Sequence, residues 1–455
     1  MRLVILGGGG FRVPLVYRSV ATGAAGGVRV DEVVLHDRDP QRLARIAAVL
    51  RGMAERESLP GGGPRVRVTT DLTSALAGAD FVFSAIRVGG LAGRVCDERA
   101  AMAQGLLGQE TTGAGGVCYA LRTVPAALHI ARAVREHAPN AFVINFTNPA
   151  GLVTEAMAAE LGDRVVGVCD SPVGLFRRVA RALDVPVDGA WFDYAGLNHL
   201  GWLRKVVVDG MDLLPGLLAD DRRLHQVEEG RLFGADWLRG LGTVPNEYLY
   251  YWYFHADAAA VAAAADRTRG EFLRDQQSAF FAGGGSTEQA PAAYDAWEAT
   301  RRDREATYMA DTREVSGAGA RDAEDLDGGG YDGVALGLMG ALSADRPTTL
   351  VLNVRNGSAL PGLDADAVVE VPCLVDGRGV RPLATGALDD GALAKAVAVK
   401  HVERLAIRAA RDGSRALAVQ ALAEHPLVDS VSRARAILDT QLTELPDLAA
   451  ALPHR

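Results

Sequence analysis

A chain of 455 residues is too long for one ordinary hydrophobic core and points to two closely packed domains. Apolar residues make up 49% and charged residues 23%, a globular balance that excludes a disordered chain. The formal charge of −9 excludes the basic face of a dedicated nucleic-acid binder, and no lysine cluster suits an anionic membrane surface.

The chain opens MRLVILGGGG. This apolar run is far too short to cross a membrane, and it lacks the basic start and small-residue cleavage site of a secretory signal. No other stretch approaches a membrane span. Cys96, Cys118, Cys169 and Cys373 stand without CxxC spacing and read as reduced thiols. The expectation is a cytoplasmic protein with neither membrane nor nucleic acid as partner.

Residues 2–6 (RLVIL) predict a strand and 13–20 a helix. EVVLHD (32–37) is a second strand, followed by a helix over 40–53. RVRVTT (65–70) alternates with period two, and a helix follows at 72–77. DFVFSAI (80–86), AFVINFT (141–147) and VVGVCD (165–170) are further apolar strands, with a long helix over 120–136. Strands alternating with helices predict an α/β fold whose first domain, residues 1–170, is a Rossmann-type, doubly wound parallel sheet. The pattern changes after Asp170. WLRKVVVDG (202–210), the aromatic run EYLYYWYF (247–254), an alanine-rich helix over 256–265, a glycine- and acid-rich mobile loop over 317–330 and helices from 391 onward predict a mixed α+β second domain, residues 171–455.

Gly7, Gly8, Gly9, Gly10 and Phe11 stand between the first strand and the first helix. Glycine there lets the backbone approach a pyrophosphate, and the helix N-terminus offers free N–H groups. The second strand ends in Asp37, whose carboxylate suits ribose hydroxyls and repels a 2′-phosphate, so NAD is expected rather than NADP. The spacing departs from a strict GxGxxG, because Arg12 occupies the last position.

IRVGG (86–90), NFTNPAG (145–151), VCDSPVG (168–174) and GLNHLGW (196–202) fall where a parallel sheet presents its carboxyl ends to a ligand. Taken singly, a buried cysteine is a small hydrophobe and a lone histidine a satisfied core group. A thiolate and an imidazole together suit a soft or borderline divalent metal.

IRVGGLAGRVCDE (86–98), GQETTGAGG (108–116), NFTNPAGLVTEA (145–156), VCDSP, GLNHLGW, VPNEYLYY (244–251), RTRGE (267–271), GGGY (328–331) and NVRNGSALPGL (353–363) stand in order along the chain with the N-terminal GGGG turn. With these segments the chain resembles glycoside hydrolase family 4, especially its 6-phospho-β-glucosidase branch, over nearly its whole length. The resemblance implies a lactate/malate dehydrogenase-like fold and an unusual glycosidase outside the two-carboxylate scheme. NAD+ takes a hydride from carbon 3 of the sugar, and the resulting ketone makes the carbon-2 hydrogen acidic. A base removes that hydrogen, the glycosidic oxygen leaves, water adds and the hydride returns. A divalent metal, Mn(II) by resemblance, stabilises the enediolate.

The resemblance assigns Cys169 and His199 as metal ligands and Tyr248 as the carbon-2 base. Arg269 matches a substrate-contacting arginine, with Arg267 as the alternative. Arg94 and Asn148 match sugar or sugar-phosphate contacts, and Arg87 and Asn198 join them. Glu110 and Thr111 lie in the GQETT turn, facing substrate or cofactor. Asp170 stands where β-type members usually carry asparagine and 6-phospho-α-glucosidases carry a leaving-group acid. The anomer therefore stays open, as does phosphate against sulfonate at carbon 6, since a related group acts on sulfoquinovosides. The partner is a small anionic glycoside, and the assembly implied is a homodimer or homotetramer. Two other classes compete. A 2-hydroxy-acid dehydrogenase needs a His–Asp relay for which no motif is found, and a nucleotide sensor has no need of a metal pair and a tyrosine base.

Overall fold

β1 (Arg2–Leu6) is buried on both faces, with Leu3 and Ile5 in one apolar cluster and Val4 and Leu6 in the other. A strand covered on both sides reads as a continuous apolar run, which is what RLVIL is. It pairs in parallel with β2 (Glu32–His36) and β4 (Phe81–Ser84). With β3 (Arg65–Thr69), β5 (Phe142–Asn145) and β6 (Val165–Gly167) the order is β3-β2-β1-β4-β5-β6. This is the doubly wound dinucleotide-binding order, whose ligand crevice opens at the carboxyl ends beside β1 and β4. β3 forms the outer edge, and its burial does not follow the period-two alternation of RVRVT, since Val68 is exposed.

The computed structural model describes residues 1–23, 29–57, 59, 62–283, 289–319 and 330–453. Most of the loop expected over 317–330 lies outside the described residues. The crossovers are α1 (Val13–Thr22), α2 (Pro40–Arg56), α3 (Leu72–Leu76), α4 (Gly90–Met102), α5 (Ala114–His137), α6 (Ala150–Leu161) and α7 (Ser171–Leu183). Asp39 and Asp71 cap α2 and α3, each accepting two backbone N–H groups.

Three differences from the expected elements matter for the site. The long helix expected from 120 begins at Ala114, because Gly115 and Gly116 serve as its first turn; a Cβ at Gly115 would run into the Gln109 carbonyl. α4 and α6 carry no clear amphipathic stripe, so periodicity does not reveal them. α7 starts at Ser171, directly behind the short β6, so Cys169 and Asp170 form a strand-to-helix corner rather than the end of a strand.

The second half adds β7 (Trp191–Leu197), β8 (Leu200–Val208), β9 (Met211–Asp212), β10 (Val244–Pro245), β11 (Thr348–Arg355), β12 (Val368–Asp376) and β13 (Gly379–Pro382). β11 pairs antiparallel with β6 at Asn353 and Gly167, and the sheet continues β11-β12-β7-β8-β10. Among the described residues, one sheet of 13 strands thus crosses the division expected after residue 170. The long helix Asp390–Asp412 returns to the first half, where buried Lys400 meets Glu155 of α6 at 2.8 Å. Breaking such a buried pair by removing one partner costs about 3–5 kcal/mol, so this contact helps bind the two halves together. Among the described residues no helix is long and apolar enough to cross a membrane.

Candidate active site

Gly7 turns the chain out of β1 with φ +81°, and a Cβ there would sit 2.5 Å from the Ala85 carbonyl oxygen at the end of β4. Only glycine fits that approach. The Gly7 and Gly8 N–H groups donate to the His36 carbonyl at 2.9 and 2.8 Å. Gly9 N–H donates to Asp37 Oδ2 at 3.0 Å, so the carboxylate at the end of β2 holds the turn. Gly7, Gly10, Phe11 and Asp37 line a cavity of about 1290 Å3, and α1 begins directly behind it. Gly8 and Gly9 are packed the other way, against Leu35 and Arg42, and support the turn from behind.

The same cavity runs past the ends of β4, β5 and β6 to Arg87, Arg94, Asn148, Cys169, Asp170, Asn198, His199 and Tyr248. Every sequence-predicted site residue except Gly8, Gly9, Arg269 and its alternative Arg267 therefore shares one wall system. Leu197 pairs with Leu200 across β7 and β8, so Asn198 and His199 form a two-residue turn. His199 takes the left-handed region, φ +59°, uncommon for a side chain of its size. Its Nδ1 lies 3.1 Å from Thr111 Oγ1, which orients the ring and leaves Nε2 as the nitrogen for a ligand. Burial pushes its pKa down to about 4, so the imidazole is neutral and able to ligate at neutral pH.

The His199 ring stacks on Tyr248 with centroids 3.6 Å apart and planes 4° from parallel. The Tyr308 hydroxyl donates to Tyr248 Oη at 3.0 Å. Burial, then Tyr308 and Glu247, hold the Tyr248 phenol well above its ordinary range. Burial, with Glu370 and Asp170 nearby, likewise raises the Cys169 thiol. A cation beside them favours the deprotonated form of both. Among the described residues there is no cluster of three or more His, Cys, Asp or Glu side chains that could hold a metal ion. Cys169 and His199 line one cavity.

Asp170 stands at the N-cap of α7 but does not cap it. Its carboxylate lies 3.5 Å from the Arg12 guanidinium instead, which ties the glycine turn to the Cys169 corner. Arg87 and Arg94 converge on Glu110 at 2.8 and 2.9 Å. Burial opposes charge on Glu110, but the fields of Arg87 and then Arg94 outweigh it and bring the carboxyl down to about 2. Asn148 Oδ1 is buried without a partner and lines the cavity, as a sugar contact would. Arg269 is set back: it donates to Thr307 Oγ1 and the Arg304 carbonyl, and lines a smaller adjoining cavity with Arg267. Burial, then Arg304 and Arg94, lower its pKa to about 10.

The structure adds residues that sequence reasoning missed. Arg304 and Tyr308 reach both cavities from the end of the helix Ala290–Ala306. Glu247, beside Tyr248, accepts a hydrogen bond from Ser171 Oγ at 2.7 Å, and burial raises its pKa to about 7. Arg12 adjoins the glycine turn and Glu247 lies inside VPNEYLYY, so both were within reach. Nothing local marks Tyr308, 60 residues from its partner.

The arrangement defines a Rossmann-type enzyme with a dinucleotide turn and a second reactive centre in one cavity. Family 4 glycosyl hydrolases match residues 2–185, and the family 4 glycosyl hydrolase C-terminal domain matches residues 194–428. The chain belongs to glycosyl hydrolase family 4 and is a glycoside hydrolase. A probable 6-phospho-beta-glucosidase of Bacillus subtilis is 29% identical, over 97% of this chain and 96% of its own. A 6-phospho-alpha-glucosidase of Leptotrichia buccalis is 27% identical, over 90% of each chain. The 6-phospho-beta glucosidase of Thermotoga maritima, solved with manganese, NAD+ and glucose-6-phosphate, superposes with a TM-score of 0.81 at 27% identity, covering 98% of this chain and 99% of that one. Malate dehydrogenase of Plasmodium falciparum, at 11% identity and a TM-score of 0.51 over 90% of this chain and 98% of its own, shares the fold alone.

Proposed function

We propose that this chain hydrolyses 6-phospho-β-glucosides with NAD and a divalent metal, Mn(II) by similarity to the Thermotoga maritima structure. The observation that carries the reading is the single cavity joining the Gly7–Phe11 turn to Cys169, His199 and Tyr248. Residues 1–170 form the NAD-binding part, and residues 171–455 the substrate, metal and oligomerisation part. When bound, NAD supplies a hydride acceptor for carbon 3 that makes the carbon-2 hydrogen acidic, and the metal supplies Lewis acidity toward the sugar oxygens.

The chain's own residues do the rest. Gly7, Gly10 and the start of α1 take the pyrophosphate, and Asp37 faces the ribose. Cys169 and His199 hold the metal, with Thr111 fixing the imidazole. Tyr248 Oη takes the carbon-2 proton, and its stack on His199 keeps it beside the metal ligands. Arg87, Arg94, Asn148 and Asn198 bind the anionic sugar, with Glu110 fixing the two arginines, and Arg269 contributes charge from the adjoining cavity. In the α reading a protonated Asp170 delivers its proton to the leaving oxygen.

The test is incubation with 6-phospho-β-glucosides, catalytic NAD+ and Mn(II). Aglycone release without NADH accumulation is expected. NADH rising in step with product would favour a dehydrogenase instead. Parallel assays with 6-phospho-α-glucosides and sulfoquinovosides settle the anomer and the anion. The α reading has one observation in its favour, the Asp170 carboxylate on the cavity wall. If Asp170 is the leaving-group acid, Asp170→Asn slows glycosides of poor leaving groups far more than nitrophenyl glycosides. Equal slowing of both would remove that role.

The enzyme works in the cytoplasm as a homodimer or homotetramer, by family resemblance. Light scattering at micromolar concentration is expected to show one of these, and a single monomeric species would contradict it.

A further inference from the structure

Behind the cavity wall lies a chain of buried hydrogen bonds that none of the proposed steps uses. Glu370 of β12 pairs in register with Asn353 of β11 on one side and Gly196 of β7 on the other, and Asn353 pairs with Gly167 of β6. Its carboxylate therefore sits at the seam where the parallel half of the sheet meets the antiparallel half. Glu370 and Asn353 are each 1% exposed, and Tyr194 and Asn246 are fully buried.

Glu370 Oε1 accepts from Asn353 Nδ2 at 2.9 Å and from Asn198 Nδ2 at 3.4 Å. Glu370 Oε2 accepts from the Tyr194 hydroxyl at 3.1 Å. That hydroxyl accepts from Asn246 Nδ2 at 2.9 Å, and Asn246 Oδ1 accepts from the Tyr248 backbone N–H at 3.1 Å. Asn198 is held at its other end too, since its Oδ1 accepts from Ala150 N–H at the start of α6. A carboxylate in the core is costly unless hydrogen bonds satisfy it, and apolar residues would fill the same volume at less cost. Here Oε1 reaches Asn198, which lines the cavity, and Oε2 reaches the main chain of Tyr248 through Tyr194 and Asn246.

We infer that Glu370 is a positioning residue. Through Asn198 it orients an amide on the cavity wall, and through Tyr194 and Asn246 it fixes the backbone of Tyr248. The inference rests on the reading that Tyr248 and Asn198 serve the sugar. Tyr248 has no covalent reason to keep its oxygen in place; its main chain stands on a turn capped by Asn246, and Asn246 is aimed by Tyr194. A small displacement there moves the base away from the bond it must attack.

The test uses the NAD- and Mn(II)-loaded enzyme. Tyr194→Phe removes one hydroxyl while the ring keeps its edge contact with Phe176. Glu370→Gln keeps the shape but cannot accept on both arms. Each is expected to lower kcat about 10- to 100-fold, with NAD affinity within about threefold of wild type. With substrate deuterated at carbon 2, the isotope effect on kcat should rise in Tyr194→Phe, while the carbon-3 effect does not. The double variant should be no slower than the slower single one, because both cut the same chain. Should Tyr194→Phe fail to fold, Asn246→Asp removes the donor to Tyr194, keeps the acceptor for Tyr248 N–H and takes the same measurements. Wild-type kcat in the variants, an unchanged carbon-2 effect, or losses that multiply in the double variant would overturn the inference. A wild-type enzyme that turns over without NAD+ would instead overturn the reading beneath it.

Discussion

Replacing Cys169 with serine, or His199 with alanine, is expected to abolish turnover while NAD still binds. Serine keeps the volume of cysteine but not its soft sulfur, and a hydroxyl does not ionise to ligate a borderline metal at neutral pH. Alanine removes the imidazole that Thr111 orients. Neither change touches the Gly7–Phe11 turn or Asp37, which are held by hydrogen bonds to His36 and Gly9. NAD titration by calorimetry should therefore give near wild-type affinity in both variants. Activity surviving in chelator-treated Cys169→Ser protein would remove the metal assignment.

Tyr248→Phe should lower turnover by about 100- to 10,000-fold, the usual effect of losing a general base. The substitution is a clean one here. Phenylalanine keeps the ring that stacks on His199 at 3.6 Å, so the metal ligand stays supported. What is lost is the oxygen that Tyr308 contacts. Metal and NAD affinity should hold, and the defect should appear in kcat. A loss confined to KM would make Tyr248 a binding residue and leave the base unassigned.

The parts of this enzyme that were legible in its sequence are those whose physics is local. RLVIL followed by glycines, and a strand ending in Asp37, announce the dinucleotide turn because strand burial, tight turns and ribose recognition each act within a few residues. Cys169 and His199 were found through motif resemblance, and the fold places both on one cavity. What stayed hidden depends on distance or on missing periodicity. α6 is apolar on most sides, so it has no stripe to read. The seam between β6 and β11 joins Gly167 to Asn353, and no local signal predicts that pairing. Tyr308 and Arg304 reach the site only because the helix Ala290–Ala306 ends there. Arg269 shows the opposite limit: its motif is clear, yet its guanidinium is engaged with Thr307 and the Arg304 carbonyl beside the main cavity.

The most direct measurement is hydrolysis of a 6-phospho-β-glucoside in D2O, with and without added NAD+, followed by analysis of the sugar product. Removal of the carbon-2 hydrogen by Tyr248 leaves that position open to exchange with solvent, whereas direct displacement at carbon 1 never touches it. The account predicts deuterium at carbon 2 of the product and no hydrolysis when NAD+ is withheld. Product formed at full rate without NAD+, with hydrogen retained at carbon 2, would contradict it.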